Sequence, residues 1–66
     1  MNLVVNGKEM SFTQPPTGAT LLVELKITPA TVVAELNGEV IPRSEFLELP
    51  LADGDVLELV TVVGGG

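Results

Sequence analysis

The sequence predicts an α+β fold, a mixed sheet of four to five strands with one main helix packed on one face, and three observations carry that expectation. Short runs rich in Val, Leu and Thr recur along the chain, and such residues pack well on a pleated surface. Two Asn-Gly pairs, at 6-7 and 37-38, punctuate those runs, and Asn-Gly is the strongest short-range hairpin signal. One stretch alone, Leu21 to Lys26, places apolar residues at helical spacing. Strands, then a helix, then strands again, with no internal linker or repeat, is the α+β pattern.

Taken in order, Met1 to Val5 and Glu9 to Thr13 flank the first Asn-Gly pair and form an N-terminal hairpin. Gln14-Pro15-Pro16-Thr17-Gly18 is a turn-rich loop, because proline removes donors and glycine permits unusual dihedrals. Thr20 then stands as the N-cap of a helix through Leu21, Leu22 and Leu25, a short one because a residue before proline, here Thr28, avoids helical angles. It is the one helix that the pattern offers. Val32 to Leu36 and Glu39 to Ile41 flank the second Asn-Gly pair as another hairpin, which Pro42 ends. Arg43 to Leu47 is expected as a short irregular or helical turn, and Leu49-Pro50-Leu51 as an apolar cover on the core. Ala52-Asp53-Gly54-Asp55 is a polar turn before the longest strand, Val56 to Val63, which must find its place among earlier ones. The domain is expected over residues 1–63, with 64–66 a flexible glycine tail.

A chain of 66 residues with 45% hydrophobic composition has a small core, and with Phe12 and Phe46 the only aromatics it is built mainly from Leu, Val and Ile. The net charge of −6 opposes binding to a phosphate backbone, and the absence of Trp and Tyr removes stacking platforms, so nucleic acid is not expected as a partner. Without cysteine there are no disulfides, thiolate metal sites or thiol nucleophile, and packing alone holds the fold. The N-terminal stretch lacks a charged start followed by an apolar segment, and no apolar run approaches the roughly 18 to 20 residues of a membrane span. No membrane association is expected, and a cytoplasmic location fits.

Catalytic chemistry within the chain is scarce. There is no His to serve as a base for Ser44 or a threonine. Asp53 and Asp55, or Glu45 and Glu48, are paired carboxylates, yet Asp-Gly-Asp before a strand is the composition of a turn whose carboxylates cap backbone donors. Arg43 is placed to cap carbonyls or to pair with Glu39 or Glu45. Strand alternation sends Leu3, Val5, Ala34, Leu36, Leu57 and Leu59 under the helix, and Val4, Val33, Glu35, Val56, Glu58, Val60 and Val62 to the opposite face. That face is either a partner-binding surface, apolar and rimmed by charge, or a scatter of the single valines that strands ordinarily expose.

The end of the chain, LVTVVGGG, poses the sharpest question. Consecutive glycines are the ordinary composition of a frayed terminus. They also suit a thread that enters a narrow active site and presents a carboxylate, which becomes an acyl donor only after activation, typically as an acyl-adenylate made from ATP. The glycines precede no helix and no lysine, so they form no phosphate loop, and another protein would have to bind the nucleotide.

"LNGEVIPRSEF", Leu36 to Phe46, followed by "LADGDVLELVTVVGGG", Leu51 to Gly66, closely resembles the sulfur carrier family of thiamine biosynthesis, ThiS, and the "NLVVNGKEM" hairpin extends the likeness over essentially the whole chain. The resemblance implies a ubiquitin-like β-grasp fold and a cytoplasmic carrier that is not itself an enzyme and holds no cofactor. Its C-terminal glycine carboxylate would be adenylated by an E1-like adenylyltransferase that uses ATP. Sulfur from a cysteine desulfurase relay would convert it to a thiocarboxylate, which would pass sulfur to thiazole synthase. By position the reactive residue is Gly66, with Gly65 its required neighbour. Val4, Val33, Glu35, Glu58, Val60, Val62 and Gly64 would meet the partners, and the chain alone would be a monomer. Two alternatives remain at this level. One is a carrier resembling the small subunit of molybdopterin synthase, the other a ubiquitin-like module that only binds protein.

Overall fold

The computed structural model describes residues 1–62; the expectations that fall on Val63, Gly64, Gly65 and Gly66 lie outside the described residues. The elements are β1 (Asn2–Val5), β2 (Lys8–Ser11), α1 (Gly18–Leu25), a 3-10 turn (Pro29–Thr31), β3 (Val32–Leu36), β4 (Glu39–Ile41), α2 (Arg43–Glu48) and β5 (Val56–Thr61). The strands form one five-stranded sheet in the order β2-β1-β5-β3-β4. β5, last in the chain, is central: it runs parallel to β1, with Val4 opposite Val56, and antiparallel to β3, with Val33 opposite Val60.

Both hairpins turn where the Asn-Gly pairs stand. Asn6 and Gly7 have φ of 50° and 81°, and Asn37 and Gly38 have 50° and 89°, so both central residues are left-handed as a type I′ turn requires. The helix start differs from expectation. The N-cap of α1 is Thr17, not Thr20, because the two threonines close a reciprocal capping box. Thr20 N–H donates to Thr17 Oγ1 at 3.2 Å, and Thr17 N–H donates to Thr20 Oγ1 at 2.8 Å. Thr20 is therefore the inner half of the cap. The helix ends at Lys26, which takes φ 59° and lets Ile27 N–H bond the Leu22 carbonyl at 2.9 Å. Thr28 is extended, as a residue before proline should be.

A second helix was not expected as such. Arg43–Glu48 forms α2, a short helix that puts Phe46 into the core at 1% exposure. Its weak signal comes from its length, too short for apolar periodicity to register. Leu51 is buried and Leu49 half-buried beside it, covering the core as expected. β5 is described as strand only to Thr61.

The core is Leu3, Val5, Leu21, Leu22, Val32, Ala34, Phe46, Leu51, Leu57 and Leu59, all between the helices and one sheet face. Gly18 is what lets α1 and α2 close on each other: it is buried, its N–H donates to Leu49 O at 3.1 Å, and a Cβ there would run into the Phe46 carbonyl oxygen and within 2.9 Å of its ring. Backbone on that side has no room to yield without opening the Phe46 site. Gly18→Ala should accordingly lower stability by about 2 to 3 kcal/mol, as overpacking does in a tight core. Urea unfolding followed by circular dichroism measures this, and an unchanged midpoint would refute the packing argument.

Candidate functional site

The residues that matter are set out by β5. Along it Leu57 and Leu59 are buried while Val56, Glu58, Val60 and Val62 are exposed, the alternation that strand geometry dictates. β1 and β3 extend the outward side with half-buried Val4, exposed Val33 and half-buried Glu35. The structure thus brings Val4, Val33, Glu35, Glu58, Val60 and Val62 onto one sheet face, with Val56 between them. Exposures of 40% at Val33, 44% at Val56, 58% at Val60 and 52% at Val62 make it an apolar surface open to solvent. Val40, opposite Glu35 on β4 and 65% exposed, belongs to the same face and was missed. Its alternation with Ile41 was the available signal, but a three-residue strand gives period two little to work with.

Charge on this face is concentrated in one place. Glu35 and Glu58 are register partners on β3 and β5, so two acidic residues are opposed at the middle of the sheet. Directly opposed like charges oppose strand pairing.

Two further side chains position the site. Asn6 Oδ1 accepts from Leu59 N–H at 2.7 Å and its Nδ2 donates to Leu59 O at 3.2 Å, so one amide side chain continues the β1 ladder where the β1 backbone turns away. On the other flank Asn37 Oδ1 accepts from Val56 N–H at 2.9 Å, its Nδ2 donates to Asp55 at 3.1 Å, and its own N–H donates to Val56 O at 2.8 Å. The turn role of these asparagines was legible in the sequence. Their hold on β5 was not, since it joins positions 53 and 19 residues apart.

The carboxylates of the polar turn are occupied as caps. Asp53 Oδ1 accepts from Asn2 N–H at 2.6 Å and Asp55 Oδ2 accepts from Ala52 N–H at 2.8 Å, while Gly54 takes φ 87°. Arg43 donates to the Ala30 carbonyl at 3.1 Å, tying α2 to the 3-10 turn; of the two expected roles it fills the capping one.

A five-stranded mixed sheet with its last strand central, and a main helix on one face, is a ubiquitin-like β-grasp domain. Residues 3–66 match the model of the ThiS family. The chain is 36% identical to the sulfur carrier protein ThiS of Bacillus subtilis, over 97% of this chain and 98% of that one. It is 41% identical to a segment of a thiazole synthase of Paramagnetospirillum magneticum, where all of this chain spans only 20% of that protein. Among solved structures, a crystal structure of the thiamine biosynthesis protein ThiS from Geobacter metallireducens superposes with a TM-score of 0.80 at 40% identity, covering 100% of both chains. The chain belongs to the ThiS family.

The paired glutamates generate a measurable expectation. Glu58→Gln should raise stability by about 0.5 kcal/mol at low salt, the size of a cross-strand charge effect, and the gain should shrink at 1 M salt where the screening length falls to about 3 Å. Paired urea titrations at the two ionic strengths test it; a Glu58→Gln protein no more stable than the parent at low salt would show that the two carboxylates do not repel.

Proposed function

We propose that this chain is a sulfur carrier for thiazole formation in thiamine biosynthesis, a co-substrate on which partner enzymes act in the cytoplasm. The observation that carries the reading is the family match over residues 3–66, which includes the glycine end as well as the domain. The Gly66 carboxylate is the group activated: an E1-like adenylyltransferase, which binds the ATP, joins it to adenylate. Sulfur from a cysteine desulfurase relay then converts it to a thiocarboxylate that donates sulfur to thiazole synthase. Gly65 and Gly64 lack the Cβ atoms that would keep a backbone from close approach to a nucleotide. The carrier needs no resident cofactor, because the nucleotide chemistry is done in the partner.

The domain supplies recognition and orientation. Val4, Val33, Val60 and Val62 form the apolar docking surface, and Glu35 and Glu58 add the charge that steers basic partners toward it. Thiazole synthase as the acceptor is supported by the relative of that name, which holds a segment like this chain within one longer protein. The chain acts alone as a monomer until a partner covers the face.

Intact mass is the direct test. Incubation with the E1-like enzyme, ATP and a sulfur source should add the mass difference of one oxygen replaced by sulfur. A chain lacking Gly65 and Gly66 should show no change; equal gain in both would remove Gly66 as the reactive end, and no gain in either would point to a module that only binds protein. Val60→Glu, on the exposed face, should slow adenylation about tenfold or more with the thermal midpoint nearly unchanged, as loss of a central interface contact does. Wild-type turnover by that variant would take the docking role away from this face.

A further inference from the structure

Thr61 sits at a lane of the sheet that no described strand fills. β3 accompanies β5 as far as Thr61, and Val62 N–H then donates to Thr31 O at 2.6 Å. β1 stops earlier: Asn6 N–H donates to Leu57 O at 2.9 Å, the Asn6 side chain takes both backbone groups of Leu59, and the chain turns off through Gly7. Backbone groups alternate sides along a strand. Leu57 and Leu59 face β1 and Val62 faces β3, so the N–H and C=O of exposed Thr61 face the lane that β1 has vacated. A pair of this kind, without a partner among the described residues, is a template for strand addition.

A second feature opens at the same place. Asn6, whose amide closes the β1 lane, also lines a groove of about 480 Å³ with Val5, Lys8, Glu9, Met10, Leu25 and Ile27. Val5, Met10, Leu25 and Ile27 make it apolar, and Lys8, Glu9 and Asn6 rim it. An open backbone lane beside an apolar groove fits one kind of occupant, an extended peptide. Its backbone pairs with β5, and one of its alternate side chains, an apolar one on the helix side, reaches the groove.

We infer that an extended segment of the activating enzyme adds to the sheet at Thr61 and anchors an apolar side chain between Met10, Leu25 and Ile27. This rests on the reading of the chain as a carrier activated at Gly66. A strand held at Thr61, five residues before Gly66, fixes the direction in which the chain leaves the domain, and direction is what a reacting end needs from its scaffold.

The test follows pyrophosphate release by an E1-like adenylyltransferase over a range of carrier concentrations, with wild type, Thr61→Pro and Thr61→Val. Proline removes the N–H that faces the lane and breaks no bond of the sheet among the described residues, whereas valine keeps it. Thr61→Pro should raise KM for the carrier about fivefold, the worth of one interfacial hydrogen bond, with kcat and the thermal midpoint near wild type and Thr61→Val unchanged. Saturating enzyme should also slow hydrogen exchange at the Thr61 amide. Wild-type KM in Thr61→Pro, or an amide that exchanges as fast with enzyme as without, overturns the strand addition and leaves the carrier function standing. A wild-type chain that is never charged overturns both.

Discussion

The structure depends on the seating of β5 between β1 and β3. Without it the molecule is two hairpins, β1-β2 and β3-β4, that share no hydrogen-bonded edge. Its pairings are non-local: Val4 meets Val56 and Val5 meets Leu57, so a loop of some fifty residues closes when they form. The entropy of that closure is offset by burial, because Leu57 and Leu59 bring apolar side chains to the core at 0% and 6% exposure. Hydrogen bonding finishes the seating from both flanks. Asn6 takes up the backbone of Leu59 and Asn37 that of Val56, so the residues that make the two hairpin turns also hold the strand that joins the hairpins.

One strand with two faces then separates stability from recognition. Leu57 and Leu59 belong to the fold, whereas Val56, Glu58, Val60 and Val62 contribute little to it and face outward. Apolar side chains at these exposures gain from burial only when something else covers them. The register pairing of Glu35 and Glu58 points the same way: like charges opposed across two strands disfavour pairing, and a cation on a docking partner would relieve that. The groove at Met10, Leu25 and Ile27 lies on the other side of the sheet, so a partner strand at Thr61 would grip β5 at its edge while the valine face is covered from outside.

How much of this the sequence disclosed follows from the range of each interaction. The hairpins were legible because a type I′ turn is decided by two adjacent residues, and both Asn-Gly pairs adopt it. The two sheet faces were legible because alternation is a property of one strand at a time, and Leu3, Val5, Ala34, Leu57 and Leu59 are buried as expected. Thr17 and Thr20 lie three residues apart and both take part in the cap, so the composition alone did not say which of them leads. The helix α2 was legible only as an irregular or helical turn, and the second duty of Asn6 and Asn37 was not legible. Each depends on a partner far along the chain, Phe46 on Gly18 and the asparagines on β5.

The same reasoning shows why the end of this chain and its domain suit each other. On the proposed reading a glycine carboxylate would enter a narrow channel, but a bare glycine peptide offers a partner nothing to recognise and no fixed direction. Specificity would then reside upstream, on the folded domain. β5 is the strand to hold: it is central, bonded on both sides as far as Leu59, and it is the last element among the described residues. A partner that grips the outward face of β5 would hold the strand that stands five residues before Gly66, and so constrain where a reactive end can reach. An edge strand in the same role would be bonded on one side only and would transmit less. The central placement of β5, costly in closure entropy, is what would let a carrier of the proposed kind aim its carboxylate at the machinery of another protein.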